Sequence, residues 1–94
     1  MTRPTAMVPE QVIGSPDEAE RARLEEARLV HRRVSGEVTV LENFERRLTR
    51  QIHEKQEQGR DDYVRELVQR RISVRSRLEE MRIRRARAAE IAGL

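Results

Sequence analysis

The sequence predicts an all-α fold, an antiparallel two-helix coiled-coil hairpin preceded by an extended N-terminal arm. Three observations predict it. Apolar residues recur at spacings of three and four through two long segments, and a glycine-containing break separates these segments. The 94 residues also include only one Phe, one Tyr and no Trp, so the large side chains that fill most globular cores are scarce. Paired helices therefore suit this composition better than a globular domain.

The N-terminal residues 1–14 are expected to form the extended arm. Pro4, Pro9 and Gly14 interrupt this stretch, and no helical period runs through it. The hairpin is predicted over residues 15–94.

The first helix is predicted over about residues 16–58. Ser15 offers a hydroxyl cap, Pro16 suits the first helical position, and Glu18 stands three residues after the cap. Part of the apolar stripe that follows keeps a seven-residue period, which is typical of a left-handed coiled coil. The stripe consists of Ala27, Val30, Val34, Val38, Leu41, Phe44, Leu48 and Ile52.

A turn is predicted at about residues 59–61, followed by a second helix over about residues 62–92. Gly59 can end the first helix, while Asp61 and Asp62 can cap the second. The stripe of the second helix is again heptad-like. It consists of Val64, Leu67, Val74, Leu78, Met81 and Ala88.

The alternative to a hairpin is one unbroken helix over residues 16–92, since a single glycine does not force a reversal. Folding back at the turn is favoured because apolar residues then face each other along most of the seam. The facing pairs are Ile52 with Leu67, Leu41 with Leu78, Val38 with Met81, and Ala27 with Ala92. Two seam positions carry arginine instead, Arg71 opposite Leu48 and Arg85 opposite Val34. Arginine stems can cover apolar surface while their guanidinium groups reach water.

On this register, the two helices end unevenly. The second helix stops opposite residue 27, so residues 15–26 project with five acids against two arginines. Residues 81–94 carry four arginines against one acid. These opposite charges can pair within one molecule or between copies.

Catalytic chemistry is not expected. The chain has no Cys, and its two histidines, His31 and His53, belong to no catalytic triad, metal-binding motif or glycine-rich phosphate loop. Both are interpreted as partly exposed helix residues. We therefore expect a non-enzymatic protein with no cofactor, metal or small-molecule substrate.

The location is predicted from the hydropathy pattern. No apolar run approaches the roughly 20 residues that span a bilayer, and the first ten residues lack the apolar stretch of a signal peptide. We expect a cytoplasmic protein, or one incorporated into a particle assembled in the cytoplasm, with no membrane partner.

Apolar residues outside the stripes predict a protein interface. Scattered exposed aliphatics are normal, but a two-helix hairpin cannot bury several stripes at once. The candidate interface residues are Val8, Val12 and Ile13 in the arm and Ile72, Ile83 and Ile91 in the second helix. The leading hypothesis is a coiled-coil structural protein that packs into a homo-oligomer or a larger assembly, such as a phage particle.

The basic residues suggest a second hypothesis. They comprise 19 Arg and one Lys, a bias that suits phosphate binding but also arises from a GC-rich genome. Residues 64–94 hold nine arginines against four acids, and such asymmetry can mark a nucleic-acid-binding surface. The alternative function is therefore a small regulatory module that binds nucleic acid or the transcription machinery. Its possible phosphate contacts are Arg82, Arg84, Arg85 and Arg87.

Overall fold

A computed structural model of the chain describes residues 16–94 as two packed helices, α1 (Pro16–Glu57) and α2 (Asp61–Ala92). The chain reverses between them, so the predicted all-α helical hairpin is confirmed and the single unbroken helix is excluded. Neither helix has a stretch long and apolar enough to cross a membrane. The predicted arm lies outside the described residues, and so do its interface candidates Val8, Val12 and Ile13.

Both helices end in the same backbone motif. Gly59 has φ +70°, and its N–H donates to the carbonyl of Gln56 at 3.0 Å, while Arg60 N–H donates to Lys55 at 2.9 Å. Gly93 repeats this arrangement at the end of α2, with φ +72°. Only glycine adopts this left-handed conformation at little cost. The glycines therefore set where each helix stops.

The start of α2 differs from the sequence-based expectation. Arg60 occupies the N-cap position and makes no side-chain capping hydrogen bond. Asp61 and Asp62 lie inside the first turn, where negative charge interacts favourably with the helix dipole. Asp62 also forms an ion pair of 2.6 Å with Arg65. The two aspartates thus stabilise this terminus by charge rather than by capping.

The core is a single apolar seam between α1 and α2. All of the buried residues in the described part of the chain are apolar. One cluster contains Val34, Val38, Leu78 and Met81. The other, nearer the turn, contains Leu48, Ile52, Leu67 and Val74. Leu41 packs against both. Cluster membership agrees with the facing pairs derived from the sequence.

The arginine positions of the seam are half-buried. Arg71 Nη1 donates to Thr49 Oγ1 across the seam at 3.4 Å, and Arg85 is also partly covered. Phe44 departs from the predicted stripe, because its residue remains 38% exposed. It follows Leu41 by three residues, a rotation of about 300°, and therefore lies at the edge of the seam.

The helices differ in length, 42 residues for α1 and 32 for α2. We call the end where α1 begins and α2 finishes the open end. There Ala27 and Ala92 are both buried, whereas residues 17–26 are exposed apart from the half-buried Leu24. Residues 16–26, the projecting segment, thus extend about 16 Å beyond α2.

Candidate interaction surfaces

One flank of the hairpin is held by polar contacts between the helices. Glu42, Glu45 and Thr49 share this side of α1 because they are spaced by three and four residues. Arg82 donates to Glu42 at 2.9 Å and Arg75 pairs with Glu45, while Arg71 contacts Thr49. This flank is therefore occupied by contacts within the molecule.

The opposite flank is more apolar. Its one interhelical ion pair within residues 16–94 joins Arg77 Nη2 to Glu37 Oε2 at 3.7 Å. Val40 on this flank is 65% exposed, and it lies beside Gly36 and the half-buried Leu41 in a shallow depression. Apolar surface is thus left uncovered on this side.

A groove of about 330 Å³ opens at the end of this apolar flank. We call it the open-end groove. Its walls are Ala27, Val30 and Glu26 from α1 and Arg84, Arg87, Ala88 and Ile91 from α2. Ala27 and Ala88 both lie at seam positions. Their short side chains leave space that leucine and valine side chains fill elsewhere along the seam. This groove was not expected from the sequence, although the alanines at seam positions were a visible signal.

The four candidate phosphate-binding arginines do not form a single face. Arg82 pairs with Glu42, and Arg85 is half-buried in the seam. Arg84 and Arg87 instead line the open-end groove and form no ion pair with any residue between 16 and 94. Successive helix residues are rotated by about 100°, so Arg82 and Arg85 share one side of α2 while Arg84 and Arg87 share another.

The interface candidates of α2 fall on two different surfaces. Ile72 and Ile83 are 54% and 48% exposed on the face of α2 that is not packed on α1. They are eleven residues apart, so they lie about 20° from each other around the helix and about 16 Å apart along it. We call this pair the outer strip. Ile91 is rotated about 80° from Ile83 and lies in the open-end groove.

Within the described part of the chain, no group of three His, Cys, Asp or Glu residues is arranged to hold a metal ion. His31 is half-buried and His53 exposed on α1, 22 residues or about 33 Å apart. The accessible features are instead apolar and cationic surfaces.

Comparison with known proteins adds no relative, because no family model, curated protein or solved structure matches the chain. The function is therefore argued from the surfaces described above.

Proposed function

We propose that this chain is a non-enzymatic structural protein, a coiled-coil hairpin that packs into a homo-oligomer or a larger protein assembly. The observation that carries the proposal is the outer strip. Ile72 and Ile83 expose about half of their surface on an aligned face of α2. Covering a large aliphatic side chain completely contributes about 1.5–3 kcal/mol, so each of these half-exposed residues offers roughly 1 kcal/mol to an assembly.

The small core supports the same proposal. Eleven apolar residues are buried in the described chain, and three of them are alanines. Eight larger apolar residues remain exposed. Two helices alone bury only one stripe each, and small scaffolds commonly gain further stability by oligomerising. Association would cover surface that the hairpin itself leaves in water.

The test replaces the outer strip with charge in the variant Ile72→Asp with Ile83→Asp. We expect wild-type chain to sediment as a species larger than its 11.1 kDa monomer, and the variant to lose the associations that depend on this strip. The variant should retain its helicity by circular dichroism, because neither side chain belongs to the seam.

A matched control adds the same two charges elsewhere. Asn43 and Gln51 are exposed polar residues of α1, on the other helix from the outer strip, so Asn43→Asp with Gln51→Asp should sediment like wild type. The proposal fails if wild-type chain remains monomeric at all concentrations, or if the outer-strip variant and wild type sediment identically.

A second candidate function is a regulatory module that binds nucleic acid or the transcription machinery through the arginines of α2. Arg84 and Arg87 favour it, since neither pairs with an acid in the described residues. Duplex DNA and RNA should then bind with an affinity that falls steeply as salt rises. Replacing Arg82, Arg84, Arg85 and Arg87 by Gln should abolish binding, and no binding of wild type at low salt rejects this function.

A further inference from the structure

The projecting segment of α1 continues the seam stripe past the end of α2. Stepping back by three and four residues from Ala27 gives Leu24, Glu20 and Asp17 as the next stripe positions. α2 ends near the level of Ala27, so Asp17 and Glu20 are exposed, while Leu24 is half-buried. The segment as a whole carries five acids and two arginines. A stripe that faces a partner helix elsewhere therefore becomes acidic where the partner is missing.

The open-end groove carries charge opposite to that of the projecting segment. Its floor is apolar, and Arg84 and Arg87 provide two cations that pair with no acid of the described chain. Glu26 lines the same groove but forms no ion pair with Arg84 or Arg87, and the acids at the start of the projecting segment cannot reach them. Arg87 is level with residue 32 of α1, so Asp17 lies about 22 Å away along the hairpin axis.

We propose that a second copy of this chain fills the groove, with two hairpins pairing antiparallel at their open ends. The projecting segment of each copy lies in the groove of the other, around a two-fold axis near Glu25. Such an interface is isologous, since both copies use the same surface. The inference rests on the proposed assembly function and names one of its contacts.

The helical rise determines which residues meet in this arrangement. With the axis between residues 25 and 26, Asp17 of one copy is level with the space between Arg84 and Arg87 of the other. Leu24 is level with Ala27 of the second copy, where the short side chain leaves room. The two α2 helices then end close to each other, on either side of the two-fold axis. The acidic stripe of each copy therefore lies beside the arginine-rich α2 of the other copy.

The interface combines apolar and electrostatic contributions. Val30 and Ile91 would be covered together with Leu24, while acids meet arginines around them. Contacts between exposed charges weaken as salt screens them, and like charges brought together at an interface are strongly unfavourable. Pairing at the open end is therefore expected to be salt-sensitive and to fail when one partner's charge is reversed.

The test uses two charge-reversal variants in the Ile72→Asp, Ile83→Asp background, which isolates the open end from the outer strip. The first variant carries Arg84→Glu with Arg87→Glu, and the second carries Asp17→Arg with Glu20→Arg. Analytical ultracentrifugation at low salt should show a monomer–dimer equilibrium for the background chain. Each variant alone should associate about tenfold or more weakly, because like charges then meet at both half-sites.

Mixing the two variants gives the decisive measurement. In a mixed dimer both half-sites again pair an acid with an arginine, so the mixture should dimerise like the background chain. A matched control, Arg46→Glu with Arg50→Glu, reverses two exposed arginines of α1 well away from the open end and should leave association unchanged. Circular dichroism should show that all variants retain their helices.

The outcomes separate this inference from the proposed function. If wild-type chain assembles but the background chain is monomeric, the outer strip alone mediates assembly and the inference is wrong. The inference is equally wrong if both variants associate like the background chain, or if mixing the two variants does not restore dimerisation. Loss of duplex DNA binding in the first variant, with dimerisation intact, would instead assign Arg84 and Arg87 to nucleic acid.

Discussion

Arg82 of α2 and Glu42 of α1 are joined by a hydrogen-bonded ion pair of 2.9 Å between Nη2 and Oε2. Both side chains remain partly exposed, at 50% and 36%, so water and salt screen the attraction. The pair lies on the same flank as the contact between Arg71 and Thr49. Contacts of this kind align the two helices more than they stabilise them.

The first prediction concerns this ion pair. A double-mutant cycle with Glu42→Gln and Arg82→Gln should give a coupling energy of about 0.2–1 kcal/mol, as is usual for exposed pairs. Urea denaturation of the four proteins measures it. The pair between Asp62 and Arg65 is a control with side chains 97% and 77% exposed, and should give less. A coupling energy above about 2 kcal/mol for Glu42 and Arg82 would contradict solvent screening.

The second prediction contrasts two glycines. Gly36 lies inside α1, and no atom beyond its own helical backbone lies within 4 Å of an added Cβ, so Gly36→Ala should stabilise the hairpin by about 0.5–1 kcal/mol. Gly59 has positive φ, so Gly59→Ala should destabilise it by about 1–2 kcal/mol. Thermal unfolding should show Tm shifts of opposite sign. A lower Tm for Gly36→Ala would argue against a continuous α1.

The third prediction concerns the seam itself. Leu78 is 2% exposed in the cluster with Val34, Val38 and Met81, and Leu78→Ala should cost about 2–5 kcal/mol through lost burial and a cavity. A hairpin with so small a core should then lose much of its helicity by circular dichroism. Ile83→Ala removes comparable volume from an exposed position and should leave helicity nearly unchanged. Equal effects of the two substitutions would contradict the observed seam.

The fourth prediction concerns an arginine in an apolar seam. Arg71 is half-buried opposite the Leu48 position, and polar residues at such positions commonly reduce stability while fixing helix register. Arg71→Leu should therefore raise the Tm and broaden the distribution of association states in sedimentation. Gln69→Leu, which adds an apolar side chain at an exposed position, should leave the Tm unchanged. A lower Tm for Arg71→Leu would show that its contact with Thr49 outweighs the polar cost.

Much of the fold follows from the sequence because helix pairing depends on patterns that a sequence displays directly. The stripe spacing and Gly59 predict two helices, and matching apolar positions predicts that Val38 and Met81 share a cluster. The predicted stripe includes Phe44, because its spacing of three residues from Leu41 fits a helical stripe. That spacing also rotates the side chain to the edge of the seam, where it stays exposed. The capping role of Asp61 was wrong because the terminal motif at Gly59 places Arg60 at the cap instead.

The candidate surfaces were less predictable than the helices. Four arginines between residues 82 and 87 look like one basic cluster in sequence, yet helical rotation directs Arg82 toward Glu42 and Arg87 into the groove. The groove itself depends on which side chains face each other across the seam. Ala27 and Ala88 create it only when both helices are placed side by side.

The antiparallel course of the helices has a practical consequence for labelling. Pro16 and Leu94 lie at the open end, whereas Gly59 lies about 48 Å away at the far end of α2. A fluorophore or fusion tag attached at Leu94 would lie against Glu25, Arg28 and Leu29, close to the proposed pairing axis. Fluorophores attached at the turn would leave the open end free. In the proposed dimer they would lie about 100 Å apart, which is too far for energy transfer between them.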